Sequence, residues 1–177
     1  MCSITIKKDI KLHKEVQKKV VMKINVIAVG KLKEKFWADA CAEYMKRLKG
    51  YAKVEVREVP DFDPNRCGGE EGARKKEGKA ILEALPERSH IILLDVGGKQ
   101  LSSEGIAARI DALTLSGISE ITFIVGGSGG VSRSILEVAD EKLSFGKITL
   151  PHNLARVVLL EQIYRAIKIS RGEPYHK

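Results

Sequence analysis

Two stretches late in this 177-residue chain combine residue types that can do chemistry. In Ile124-Val125-Gly126-Gly127-Ser128-Gly129-Gly130, an apolar strand runs into a turn with four glycines around one serine. Such a turn permits positive backbone dihedrals and close main-chain approach to a small molecule. It also suits a tight structural bend before a helix starting at Val131, and residue types alone leave both readings open. The second stretch runs from Leu150-Pro151-His152 to Arg171-Gly172-Glu173-Pro174-Tyr175-His176 and carries His152, Arg156, Arg165, Arg171, Tyr175 and His176. Arginine holds phosphate in a fork, tyrosine stacks on an unstacked base, and histidine moves a proton near neutral pH. Singly these are ordinary surface residues. Clustered near one rim, they predict a nucleic-acid-facing surface beside a backbone-lined pocket.

Other chemistries find little support. A dinucleotide fingerprint counted from Gly127 needs glycine at 132 and meets Ser132, and the turn follows a late strand instead of the first. Gly98-Lys99 is followed by Gln100 and Gly146-Lys147 by Ile148, so neither is a phosphate-binding Walker loop. Cys2, Cys41 and Cys67 are too few and scattered for a disulfide framework or a zinc site, and the four histidines lack ligand spacing, so no metal is expected. Cys41 falls among apolar helical neighbours as a core residue, and Cys67 in a glycine-rich loop is an incidental thiol. No apolar run reaches membrane-spanning length and no secretory signal is visible, which predicts a cytoplasmic protein without membrane contact.

The net charge of +8 is uneven: residues 1–21 hold six lysines against Asp9 and Glu15, half of the excess. These residues are set apart as a basic extension, an RNA-touching arm or an appended leader, from one domain spanning 22–177. What remains is only mildly basic, so charge alone leaves nucleic-acid binding open.

The elements that must position the two stretches alternate in type. Apolar runs at Met22–Val29 and Ile121–Val125, the continuous Ile91–Leu94, and the alternating Val54 and Val56 before Pro60 read as strands. Phe145–Leu150 reads as a last strand-like segment. Phe36–Leu48, Ala73–Leu85, Val131–Ala139 and Leu154–Ile169 read as helices, as does a segment capped by Ser102 or Ser103 with Glu104 in its first turn. Asp61–Gly72 reads as a loop and Gly97-Gly98 as a turn. The fold class is therefore α/β, a mostly parallel sheet with helices on both faces. Ligands in such sheets sit beyond the carboxyl ends of strands, which marks Leu94-Asp95, Val125-Gly126-Gly127 and Phe145–Leu150 as rims. The last helix, with Leu154, Val157, Val158, Leu159, Leu160, Ile163, Ala166 and Ile167, is apolar beyond one stripe. It favours a homodimer, with deep packing inside one subunit as the alternative. Glu161 and Arg165 stand four apart as a solvated pair.

In order along the chain, Met22-Lys23-Ile24, Val29-Gly30-Lys31-Leu32-Lys33, Glu58-Val59-Pro60-Asp61, Leu94-Asp95, Gly98-Lys99-Gln100-Leu101-Ser102-Ser103-Glu104, the glycine turn, Leu150-Pro151-His152 and Arg171–His176 resemble the bacterial ribosomal RNA large subunit methyltransferase H family. The likeness covers 22–177. It implies a fold of the SpoU-TrmD class, with a deep trefoil knot near the carboxyl end forming the S-adenosyl-L-methionine pocket of an obligate homodimer. It also implies methyl transfer to N3 of a pseudouridine in a 23S ribosomal RNA hairpin loop, at the subunit interface of the assembled ribosome. Carried over by position, the cofactor residues are Leu94, Gly126, Phe145, Gly146, Lys147, Ile148, Thr149 and Leu150. Where some relatives carry proline and glutamate in the glycine turn, this chain has Ser128 and Gly129. In the chemistry so implied, Arg156 and Arg171 hold phosphate or a base carbonyl, Tyr175 stacks on or orients the base, and His176 or His152 assists proton removal. One subunit's tail is expected to close the other's pocket. The rival expectation is a non-enzymatic ribosome-associated RNA binder; an oxidoreductase is disfavoured by the failed fingerprint.

Overall fold

The computed structural model describes residues 22–174; the basic run 1–21, Tyr175 and His176 lie outside the described residues. In chain order the elements are β1 (Lys23–Val29), α1 (Lys35–Leu48), β2 (Lys53–Val59), a 3-10 turn (Pro64–Arg66), α2 (Glu70–Ala84), β3 (His90–Gln100), α3 (Ser103–Leu115), β4 (Glu120–Val125), α4 (Arg133–Val138), β5 (Glu141–Ser144) and α5 (His152–Ser170). The five strands form one sheet in the order β2-β1-β4-β3-β5, and every pairing is parallel.

Side chains of a strand alternate between faces, so the central strands feed two cores. Ile24, Val26 and Ala28 of β1 join Ile121, Phe123 and Val125 of β4 in a cluster covered by α1, α3 and α5. Ile27, Val29, Leu93 and Ile124 point the other way, against Ile81 of α2 and Ile135 of α4. Burial on both faces explains why these strands are continuously apolar. The cap of α3 is Ser102, whose Oγ accepts from the Gly105 N–H at 3.1 Å, with Glu104 in the first turn.

Helix α5 packs against α1 and α3, burying Arg156, Leu159, Leu160, Ile163 and Ala166. This sandwiched position accounts for much of its apolar surface, while Leu154, Val157 and Val158 remain half-buried.

Three local expectations are corrected. Phe145–Leu150 is not a strand: β5 is Glu141–Ser144, and the chain then turns. Ser144 Oγ accepts from the Gly146 N–H at 3.2 Å and donates to the Gly146 carbonyl at 2.8 Å, and Gly146 has a φ of +130° that side chains rarely adopt. Gly97-Gly98 does not end β3, which continues to Gln100 through a bulge. Leu94 and Lys99 both pair with Leu143, and the intervening residues loop out. The bulge closes tightly because Gly98 has no side chain: a Cβ there would lie 2.7 Å from the Lys142 carbonyl carbon. Finally, α2 begins at Glu70, inside the predicted loop, after a 3-10 turn whose Asp63 accepts from the Asn65 N–H at 3.0 Å.

Candidate functional site

The three rims meet. Leu94–Val96 at the bulge of β3, Val125–Ser128, Gly130 and Val131 at and after the end of β4, and residues between Leu143 and Leu150 around the end of β5 line one cavity of about 330 Å³, with His152 and Ala155 of α5 at one side. Its volume falls in the range of roughly 300–1,000 Å³ usual for small-molecule pockets. Its walls are the apolar side chains of Leu94, Val96, Val131, Leu143, Phe145, Ile148 and Leu150 around the bare main chain of Gly126, Gly127 and Gly130. Of the expected cofactor residues, only Lys147 is outside the lining; its side chain is exposed.

The glycine turn satisfies both readings it invited. A Cβ on Gly126 would meet Val131 Cγ1 at 2.7 Å, and one on Gly127 would be wedged between Glu77 Oε2 at 3.0 Å and Val29 Cγ1 at 3.1 Å. Gly130 adopts a φ of +85°, and its N–H donates to the Gly127 carbonyl at 3.1 Å. Packing therefore demands glycine, and the same absence of side chains leaves main-chain groups facing the cavity. Helix α2 supports the turn from beneath. Arg74 Nη1 donates to the Gly129 carbonyl at 3.2 Å, and the buried Glu77 accepts from the Phe62 N–H at 3.1 Å. Burial pushes the Glu77 carboxyl up from its ordinary value, and Asp61 and Glu70 add to this. Sequence reasoning missed these supports, since charged residues on a helix normally read as a solvated face. The spacing Glu70, Arg74, Glu77 on one helical face was the available signal.

His152 is half-buried at the cavity. Burial first and the Arg156 charge second push its imidazole below the ordinary value, which favours the neutral ring near pH 7, against a smaller pull from Asp61 and Glu34. Arg156, one turn further on, is 1% exposed. Its Nη2 donates to the carbonyls of Val29 at 2.5 Å and Gly30 at 2.6 Å, and its Nη1 pairs with Glu58 at 3.0 Å. It ties α5 to the ends of β1 and β2. Its buried Nε has no partner among the described residues.

Among the described residues, His152, Arg156, Arg165 and Arg171 do not form one cluster; Tyr175 and His176 lie outside the described residues. Arg165 is paired with Glu161 at 2.6 Å, as the spacing foretold, but the pair is partly buried instead of solvated. Arg171 stands at the opposite end of α5 from His152, its guanidinium 4.6 Å from the Tyr51 ring centroid and 3.2 Å from the Tyr51 carbonyl. At 1.5 Å per residue, nineteen steps separate His152 and Arg171 by about 28 Å. Among the described residues no group of three His, Cys, Asp or Glu is placed to hold a metal, and no helix is long and apolar enough to cross a membrane.

Comparison with known proteins follows this geometry. Residues 22–176 match the family model described as "Predicted SPOUT methyltransferase". The chain is 50% identical over 159 residues to the ribosomal RNA large subunit methyltransferase H of Listeria welshimeri, across 88% of this chain and 100% of that relative. The protein of the same name from Bacillus cytotoxicus is also 50% identical, with the same coverage. Among solved structures, a probable methylase family protein from Haemophilus influenzae Rd KW20 superposes with a TM-score of 0.55 at 15% identity, covering 88% of this chain and 70% of that one. The tRNA (m1G37) methyltransferase of Aquifex aeolicus gives a TM-score of 0.51 at 16% identity, covering 88% and 74%. At such identities these two likenesses concern the fold alone. The family match and the half-identical, full-length relatives place it more narrowly: this chain belongs to the ribosomal RNA large subunit methyltransferase H family of SPOUT methyltransferases.

Proposed function

We propose that this chain is an S-adenosyl-L-methionine-dependent methyltransferase of ribosomal RNA that acts on N3 of a pseudouridine in 23S rRNA, on the assembled ribosome in the cytoplasm. The single observation that carries the proposal is the convergence of the β3 bulge and the loops after β4 and β5 on one apolar cavity with a main-chain turn for a wall. That lining suits the donor: apolar side chains sandwich an adenine, main-chain N–H and C=O groups can read its edge, and Leu94, Gly126 and residues 145–150 supply both. Lys147, with its side chain outside, takes part through its main chain. When bound, the donor supplies a methyl carbon activated by a sulfonium.

The chain's own task is to hold a base edge beside that carbon and to accept the imide proton. Holding both partners at near-attack distance supplies much of the rate. The depressed His152 favours an imidazole free to accept a proton. Arg156 enters the proposal by positioning α5 and His152 rather than by touching RNA, because its Nη groups are bonded inside the protein.

The proposal includes a deep trefoil knot near the carboxyl end and a homodimer in which each subunit's tail completes the other's site. Position supports the second point. Arg171 stands about 28 Å along α5 from His152 of its own subunit, at the far end of the helix from the cavity. A partner laid antiparallel along α5 brings its Arg171, Tyr175 and His176 to that cavity, where they hold phosphate, stack on the base and assist proton removal.

Methyl transfer from labelled donor to intact ribosomes, free large subunits and bare RNA, with and without the pseudouridine, tests the activity. Transfer only to pseudouridine-containing assembled ribosomes is expected. No heat on titrating the donor would leave the non-enzymatic binder in its place. Mixed dimers pairing a donor-dead subunit with a tail-deleted one should recover one working site, and no recovery would defeat the sharing of tails.

A further inference from the structure

Among the described residues lining the cavity, Asp95 is the single acid and His152 the single base. Asp95 is held in place by local structure. Its Oδ1 accepts from the Gly97 N–H at 2.7 Å, inside the bulge that β3 makes between Leu94 and Lys99, and the bulge is pressed against β5 at Gly98. Its Oδ2 has no hydrogen-bond partner among the described residues, and no cationic side chain pairs with it. The His152 imidazole in the same lining is kept toward its neutral form by burial and by Arg156. A largely apolar cavity thus carries one carboxylate unpaired with any cation, held beside Leu94 in the bulge of β3.

The methyl donor and its demethylated product have nearly the same shape and differ by one positive charge, that of the sulfonium. We propose that Asp95 is a specificity-determining residue whose carboxylate raises the affinity of the cavity for the cationic donor relative to the thioether product. This rests on the methyl-donor reading of the cavity. Asp95 lines the same cavity, so its charge favours a cation held there over a neutral ligand of the same shape. At a half-exposed position it amounts to a change of about tenfold in relative affinity. Its consequence is exchange: the site is less attractive to what transfer leaves behind than to what must replace it.

The test is calorimetric titration of the full-length dimer with S-adenosylmethionine and with S-adenosylhomocysteine. Asp95→Asn keeps an Oδ1 acceptor for the Gly97 N–H, so the bulge is retained, which an unchanged Tm checks. The variant should lose about tenfold in affinity for the sulfonium ligand and less than twofold for the thioether. Asp95→Glu should keep the wild-type ratio, and added salt should narrow that ratio in the wild type but not in Asp95→Asn. An equal loss for both ligands, including loss of all binding, would mean that Asp95 acts by shape and would overturn the proposal, as would no change for either. A wild type that binds neither ligand would instead overturn the methyl-donor reading itself.

Discussion

The amino and carboxyl ends of this sheet are built from opposite materials. At the amino ends, polar side chains pair with one another, although the buried Asn25 Oδ1 has no partner among the described residues. Lys23 pairs with Glu120 at 2.9 Å, and Asn25 donates to Glu120 at 2.8 Å and to Thr122 at 3.3 Å. Thr122 in turn donates to Ser89 at 2.9 Å. Glu141 accepts from the Arg109 Nε at 2.9 Å and lies 2.5 Å from His90 Nε2. At the carboxyl ends the chain places glycines, apolar side chains and short loops, and there the cavity opens. Where polar groups are mostly paired within the protein, little is left for a ligand to bind; where the wall is main chain and hydrocarbon, the ligand supplies the missing partners. In this molecule one end holds the sheet together and the other is kept open for use.

Arg156 is the exception, a buried polar clamp at the open end whose two Nη groups are bonded inside the protein, and removing it should have the largest effect. Arg156→Ala leaves two strand-end carbonyls and a partly exposed Glu58 without their donor, which should lower unfolding free energy by about 3 kcal/mol in urea titrations. Donor affinity should fall only in proportion to the unfolded fraction. A variant of normal stability that binds no donor would move Arg156 from the framework into the site and blur the contrast between the two ends.

Next in size is Gly126→Ala. The new methyl group would sit 2.7 Å from Val131 Cγ1, a stiff β-branched neighbour, so the turn itself must shift. A loss of about 1–3 kcal/mol in stability is expected from the overpacking, together with at least about a tenfold loss of donor affinity by calorimetry. Gly50→Ala, where nothing lies within 4 Å of the new atom, is the control and should change neither.

At the amino ends, Arg109→Ala should cost about 1 kcal/mol, since both partners are partly exposed, and leave donor binding intact. The loss should depend on pH. Arg109's hydrogen bonds first, and His90's second, hold the Glu141 carboxyl below its ordinary value, with burial opposing. A depressed carboxyl stabilises the fold above the unfolded value near about 4.3 and loses that contribution as pH falls through the lower folded value. Urea midpoints of wild type and variant should therefore differ most at neutral pH and converge on acidification. A gap that widens in acid would reverse the sign assigned to Glu141.

Much of this was legible in the sequence because it rests on periodicity. Continuous apolar runs marked β1, β3 and β4 as strands, and from the parallel sheet followed three rims that do line one cavity, although the rim at Leu94-Asp95 is a bulge within β3 rather than a loop beyond it. What escaped depends on contacts between distant segments. The bulge of β3 exists because Gly98 can press against Lys142, 44 residues away, and no local pattern announces such an approach. Phe145–Leu150 is apolar enough for a strand, but a Ser144–Gly146 turn ends the sheet first. The cations of α5 read as one cluster because they are close in sequence, whereas a 19-residue helix sends His152 and Arg171 to opposite ends. A pocket made of main chain also hides well, since glycine and leucine carry no signature of what they bind.

The smallest expected effect belongs to Arg74, where the two kinds of material touch. Its guanidinium reaches from α2 to the Gly129 carbonyl at 3.2 Å, so a charged side chain holds one point of a turn whose shape is otherwise set by glycine packing. Loss of one partly buried hydrogen bond in Arg74→Ala should cost roughly 0.5–1 kcal/mol, because Glu77, Val29 and Val131 still confine Gly126 and Gly127. Donor affinity should weaken about two- to fivefold through looser positioning of the turn, an effect that raises KM for the donor and leaves kcat near its wild-type value. Arg74→Lys, able to reach the carbonyl with one donor, should recover part of that loss. A drop in kcat with KM unchanged would instead mean that α2 touches the reacting partners, and the support beneath the turn would belong to the site.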